Sequence, residues 1–294
     1  MSTTTSLSRN SSIHWILDWD GTLTQKDTLD ALVNIAASSK PNTNPPILDR
    51  WKSVVDAYMA DYTSELEKLA PNGALPTTIE GEKKLLKAME VVEHRSLQRV
   101  LEAQIFEGVT KEHIESGAQN AIEKGDVTLR PGVKRFLEKV QAHGDKIHIL
   151  SVNWSRHFIH SCLAACGTSL DTSLVLANEL DGIAEGASSN GRITPKIVSS
   201  SDKLRELKKL RDTSPALIVY AGDSWPDIEC LLAADVGICI RDEEMSGGQG
   251  KLAERLEGLG IEVERLREGS EGVVWVGGLG EVGEWVEGRG EGGV

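Results

Sequence analysis

The chain has 294 residues, of which 39% are hydrophobic and 26% charged, and its formal net charge is −13. That length holds one large domain or two modest ones with a buried core. The acidic balance argues against a general nucleic-acid binder, because phosphate backbones would be repelled and no basic patch compensates.

Residues 1–12 are rich in Ser and Thr, with a lone Arg9 and no apolar stretch. They are read as a disordered start, and a secretory signal would need an apolar core that is missing here. Ile13 to Asp18 is a short apolar run ending in acids, which suits a buried strand. From Thr28 to Lys124 the pattern turns helical. Leu48, Trp51, Val55, Tyr58 and Tyr62 recur at helical spacing, as do Leu85, Leu86, Met89, Val92 and Leu97, with breaks at Pro41–Pro46 and Pro71–Thr78. Residues 28–124 are therefore expected to form an all-helical insertion.

Pro131 opens a predicted helix through Ala142, proline being favoured in a first turn. Lys146–Leu150 follows as a strand, Arg156–Ala165 as a helix and Leu174–Ala177 as a strand, while Gly182–Thr194 reads as a loop or hairpin. Ser201 or Asp202 caps a helix running to about Arg211, a basic stretch interleaved with Glu206 that looks like a solvated face. Ala216–Ala221 and Val236–Ile240 are strands flanking a helix at Pro226–Ala233, and Ile261–Leu266 and Val273–Val276 read as short strands. Strands alternating with helices predict a doubly wound parallel sheet of the α/β class. Residues 13–27 and 125–266 form its core, and 267–294 a Gly/Glu-rich, partly disordered tail. No apolar run is long enough to cross a bilayer. Cys162, Cys166, Cys230 and Cys239 form no CxxC pair, which fits buried free thiols, a reducing compartment and a cytoplasmic location.

The chemistry lies where strands end. Asp18 and Asp20 close the first strand in Asp18-Trp19-Asp20-Gly21-Thr22; Asp223 and Asp227 follow the Ala216–Ala221 strand. In such sheets ligands bind outside the carboxyl ends of the strands. Carboxylates converging there repel one another unless a cation is present, and oxygen-seeking Mg2+ suits them. Ser151 ends the Lys146–Leu150 strand, where its hydroxyl and the backbone N–H groups after it, through Asn153, can hold phosphate oxygens. Lys203 supplies a cation. His148 and His160 fall within a strand and a helix, positions that argue against catalysis.

These motifs, in this order, resemble the haloacid dehalogenase superfamily: Asp18 to Thr22 as the first, Ser151 the second, Lys203 the third, and Asp223 to Asp227 the fourth. The resemblance implies a Rossmann-like core with a C1-type helical cap, and a phosphatase in which Asp18 attacks phosphorus. It further implies that Asp20 is the acid–base group, that Asp18, Asp20, Asp223 and Asp227 hold magnesium, and that Ser151, Asn153 and Lys203 bind phosphate. Within that family dehalogenases lack the second acid and transport ATPases carry Thr there, so an acid at position 20 points to rapid turnover of the phosphoenzyme and a phosphatase, with a dehalogenase or phosphotransferase as the rival enzyme reading. A non-catalytic binding protein on the same fold would be expected to have lost one of these residues.

Trp51, Tyr58 and Tyr62 share a cap-helix face and Trp154 follows Ser151; together with Asn178 they are candidates for a substrate pocket that takes a flat ring. The stretch Leu150 to Ser155 and the segment Ala177-Asn178-Glu179-Leu180 are similar to the phosphatase domain of plant thiamine monophosphate phosphatases. Phosphoserine phosphatases and cytosolic pyrimidine nucleotidases are alike in motif style, although Asn153 and Trp154 depart from the glycines that follow the serine in the former. The expected partner is a small phosphorylated metabolite, such as thiamine monophosphate or a nucleotide, and neither nucleic acid nor a membrane.

Overall fold

The structure is a computed structural model and describes residues 12–168, 170–267 and 269–290. Residues 1–11 of the expected disordered start, and 268 and 291–294 of the expected tail, lie outside the described residues. In chain order the strands are β1 (Ile13–Leu17), β2 (Lys146–Leu150), β3 (Val175–Leu176), β4 (Glu179–Leu180), β5 (Ile193–Thr194), β6 (Leu217–Gly222), β7 (Val236–Ile240), β8 (Glu264–Arg265) and β9 (Gly272–Val276). The helices are α1 (Leu29–Ser39), α2 (Ile47–Leu69), α3 (Ile79–Glu102), α4 (Lys111–Lys124), α5 (Val133–His143), α6 (Arg156–Ala165), α7 (Ser200–Asp212), α8 (Ile228–Ala233), α9 (Gly247–Gly258) and α10 (Leu279–Gly290).

The chain divides into two compact units, one of Met1–Gln25, Leu129–Leu150 and Lys203–Val294, the other of Lys26–Thr128 and Ser151–Asp202. In the first, six strands pair in parallel in the order β2-β1-β6-β7-β9-β8. β1 and β7 are buried along their whole length, which explains their unbroken apolar runs: a parallel strand covered on both faces has no solvent side to mark with polar residues. β1 lies between β2 and β6, so the strand order reverses at its carboxyl end, the place where open α/β sheets bind ligands. The fold is a doubly wound, Rossmann-like α/β fold with a helical insertion.

The segment expected to be a partly disordered tail holds β9 and α10. Leu279, Val282 and Val286 of α10 are buried and recur at helical spacing, and α10 packs on α5. Trp15 of β1 meets Phe136 of α5 edge-on at 5.0 Å and Trp285 of α10 at 6.0 Å. Gly132, in the left-handed region at φ 87, caps α5, and a Cβ there would lie 2.9 Å from the Gly280 backbone nitrogen. That turn is why α5 starts at Val133 rather than at Pro131.

The second unit carries helices α1 to α4, as the spacing predicts, but it is not wholly helical. It also takes in 151–202, because α6 packs on α4 and the following chain folds into the antiparallel β4–β5 hairpin, pairing Glu179 with Thr194 and Leu180 with Ile193. α7 begins at Ser200, two residues before the start that a Ser201 cap would give, since the hydroxyl that caps it is Ser199's, accepting from the Asp202 N–H at 3.3 Å. Among the described residues no helix is long and apolar enough to cross a membrane.

Candidate active site

The first unit assembles the site from the ends of two neighbouring parallel strands. β1 delivers Asp18, whose N–H donates to the Ala221 carbonyl of β6 at 2.9 Å, so the two strand ends remain in register up to the acids. The chain then turns sharply. The N–H groups of Thr22, Leu23 and Thr24 all converge on the Trp19 carbonyl, and Gly21 adopts φ +72. Only glycine fits there, both for that backbone conformation and because a Cβ would stand 2.2 Å from Asp223 Oδ2. The glycine thus sets how closely the two acid-bearing loops approach.

Asp18, Asp223 and Asp227 each offer an oxygen within 4.8 Å of the other two. Lys203, buried at 1% exposure, joins two of them, with Nζ 2.8 Å from Asp18 Oδ1 and 2.7 Å from Asp227 Oδ1. The solvated helix face expected for its segment does not extend to Lys203, which points inward. Thr22 Oγ1 donates to Asp223 Oδ1 at 3.1 Å, and the buried Tyr220 hydroxyl donates to Asp227 Oδ1 at 2.6 Å. Asp227 Oδ2 accepts from the N–H of Asp223 at 3.2 Å and from both the N–H and the hydroxyl of Ser224, at 3.1 and 3.0 Å. With five donors on it, Asp227 fixes the geometry of its neighbours, while Asp18 and Asp223 keep more of their acceptor capacity. Asp20 lies half-buried in the turn after β1.

Electrostatics separate the three acids. Burial, followed by the Asp227 charge, pushes Asp18 well above the usual carboxylate range despite Lys203. The same two causes raise Asp223 to about 7. Burial also opposes ionisation of Asp227, but Lys203 and the surrounding hydrogen bonds outweigh it and hold Asp227 low. Burial disfavours the Lys203 ammonium, yet Asp18 and Asp227 overcome it and raise its pKa. One lysine therefore faces three buried carboxylates, and positive charge is in deficit. A divalent cation fits such a donor set of hard oxygens.

The remaining predicted residues lie in the second unit. Ser151 is fully buried, its N–H donating to the Leu176 carbonyl at 3.0 Å and its Oγ accepting from the Asn153 N–H at 3.0 Å. Asn153 donates through Nδ2 to Thr28 Oγ1 at 3.1 Å. Trp51 and Trp154 pack edge-to-face at 5.5 Å, and Trp154 also meets Phe106 at 6.0 Å. Tyr58 lies beside Tyr62 at 6.1 Å and donates to Glu93 at 2.9 Å. Asn178 is a correction to the expected pocket. Its amide donates to the carbonyls of Val152, Asn153 and Ile197, and its oxygen accepts from the N–H groups of Lys196 and Ile197. An amide with every donor and acceptor engaged by backbone stitches loops together and has none left for a ligand.

Sequence reasoning passed over Tyr220, Thr22's bond to Asp223, and Arg130. The signal for Tyr220 was a phenol inside an otherwise aliphatic strand, since a buried hydroxyl needs a partner.

Residues 16–232 match the model of the haloacid dehalogenase-like hydrolases. The chain belongs to that family. This haloacid dehalogenase-like chain is 30% identical to a CTO1 family protein of Schizosaccharomyces pombe, over 78% of its own length and 82% of that protein's. It is 26% identical to the mitochondrial bifunctional TH2 protein of Arabidopsis thaliana, over 76% of its own length but 38% of that longer protein. In fold it is similar to cytosolic 5'-nucleotidase IIIB bound to cytidine, with a TM-score of 0.58 at 14% identity, covering 95% of this chain and 87% of that one.

Proposed function

We propose that this chain is a magnesium-dependent phosphatase that hydrolyses a small organic monophosphate through a phosphorylated Asp18. The observation that carries this reading is the buried Lys203 bridging Asp18 and Asp227 beside Asp223, at the carboxyl ends of β1 and β6. A purely structural buried ion pair needs one carboxylate; three converging on one lysine leave negative charge that protons or a bound cation must offset, and a cation offsets it once Asp18 and Asp223 ionise.

In this mechanism an Asp18 oxygen forms a bond to phosphorus as the ester oxygen leaves, and Asp20 gives that oxygen a proton. Asp20, now a carboxylate, takes a proton from water, which attacks phosphorus and frees Asp18 and inorganic phosphate. Lys203 holds Asp18 in place and offers positive charge to the phosphate oxygens as charge spreads in the transition state. Asp18, the backbone carbonyl of Asp20, and Asp223 would hold magnesium, with Asp227 ordering Asp223 and Lys203 around it. Bound there, the ion supplies positive charge and Lewis acidity toward the phosphoryl group. Ser151 and Asn153 are proposed as further phosphate ligands.

For the substrate we favour a monophosphate with a flat ring, thiamine monophosphate or a nucleotide. Support comes from the half-buried Trp51, Tyr58 and Tyr62 along one face of α2. The cytidine held by the structurally similar 5'-nucleotidase is in keeping with such a substrate. Release of phosphate from p-nitrophenyl phosphate with magnesium, abolished in Asp18→Asn, is the expected result. An inert wild-type protein across a broad monophosphate panel contradicts the proposal. Comparing kcat/KM for thiamine monophosphate, nucleoside monophosphates and phosphoserine then selects the substrate.

A further inference from the structure

Arg130 is buried, takes no part in the chemistry above, and is nonetheless tied to the backbone of the nucleophile loop. Its N–H donates to the Leu23 carbonyl at 2.9 Å, and the preceding residue, Leu129, forms an isolated bridge with Thr24. Its guanidinium donates through Nε to the Gly21 carbonyl at 2.9 Å and grips the Asp242 carboxylate with both terminal nitrogens, Nη2 at 2.9 Å. Asp242 follows β7 and is itself held by Gln249 of α9. Gln249 Nε2 donates to Asp242 Oδ2 at 2.9 Å, and its Oε1 accepts from the Asp242 N–H at 3.1 Å.

Gly21 is the flexible joint of the loop, and it is restrained on both sides. The peptide before it, which carries the Asp20 carbonyl, is held where the Gly21 N–H donates to Thr24 Oγ1 at 3.2 Å. The peptide after it is held by Arg130. A glycine with no such restraint would leave the Asp20 carbonyl free to swing. A planar guanidinium can bind a carbonyl and a carboxylate at once in fixed directions, which a lysine cannot do.

We propose that Arg130 is a positioning residue: braced by Asp242 and Gln249, it fixes the Gly21 backbone and so sets the affinity of the acidic cluster for magnesium. This rests on the magnesium-phosphatase reading, in which the Asp20 carbonyl is a ligand.

The test uses the full chain, with calorimetric titration of MgCl2, thermal unfolding, and kcat and KM on p-nitrophenyl phosphate for wild type, Arg130→Met, Arg130→Lys and Asp242→Asn. Losing one charge-assisted hydrogen bond to the loop predicts about a tenfold rise in the magnesium Kd of Arg130→Met. The kcat should fall while KM stays near the wild-type value. Arg130→Lys should recover part of the affinity, and Asp242→Asn, which keeps the side-chain shape, should weaken binding less than Arg130→Met. Should Arg130→Met fail to fold, Asp242→Asn and Arg130→Lys carry the same comparison. A lowered melting temperature with magnesium affinity within about twofold of wild type, the scale of ordinary context effects, overturns the proposal and leaves Arg130 a structural tie. A wild type that binds no magnesium overturns it too. If wild type binds magnesium and the variants weaken it, but no monophosphate is hydrolysed, the phosphatase reading fails while the positioning role stands.

Discussion

Replacing Gly21 with alanine adds one carbon atom at the point where the two acid-bearing loops meet. An alanine Cβ would stand 2.2 Å from Asp223 Oδ2 and 2.6 Å from its Cγ. Ordinary van der Waals contact begins near 3.4 Å, so Asp223 or the nucleophile loop must retreat by about 1 Å, a displacement that can cost on the order of 100-fold in rate. The left-handed φ of +72 adds about 1 kcal/mol of backbone strain, or roughly 2–4 °C in melting temperature for a domain of this size. Gly260 separates the two effects. It has the same φ of +72, but a Cβ there meets nothing within 4 Å. Gly260→Ala should lose stability alone, whereas Gly21→Ala should lose stability, magnesium affinity and about 100-fold in kcat. Thermal unfolding, calorimetry and p-nitrophenyl phosphate turnover on both variants decide. A Gly21→Ala protein with wild-type turnover and magnesium affinity refutes the claim that this contact sets the site.

Lys203→Met should cost about 3–5 kcal/mol of stability in the metal-free protein, as expected when one partner of a buried ion pair is removed, and unchanged urea unfolding would count against the bridge. Magnesium binding should depend on pH through Asp223, whose carboxyl is raised from 3.8 to about 7. Between those values the folded metal-free protein retains a proton that the unfolded chain has lost, so Asp223 makes stability fall as pH rises through that window. Magnesium must displace that proton below about 7, so the rise in melting temperature on adding magnesium should be larger at pH 8 than at pH 6, and the part of that difference carried by Asp223 should be lost in Asp223→Asn. Truncation before Leu279 removes three buried α10 side chains and the Trp285 contact to Trp15. It should lower the melting temperature by more than about 5 °C, and a truncated chain as stable as the whole would show that α10 contributes nothing.

Much of the core was legible because a doubly covered parallel strand is an uninterrupted apolar run, and acids directly after such a run lie at the ligand-binding edge. Asp18, Asp223 and the family resemblance followed from that pattern. What stayed hidden depended on partners far along the chain. Lys203 was legible as the cation of the motif set, but its stretch of alternating charges looks solvated, and only Asp18 and Asp227 explain why it is buried. Arg130 and Asp242 are unremarkable separately and acquire meaning only as a bidentate pair. In the tail, the Gly and Glu content masked Leu279, Val282 and Val286 on one helical face. Asn178 misled for the opposite reason: a polar side chain near strand ends looks like a ligand until its five backbone bonds are counted.

The central claim is that Asp18 becomes phosphorylated during turnover, and rapid acid quenching followed by peptide mass spectrometry tests it directly. A phosphoryl adduct on the peptide bearing Asp18, dependent on magnesium and absent from Asp18→Asn, is the predicted result. Phosphate release with no adduct on Asp18, or with undiminished turnover in Asp18→Asn, would contradict it.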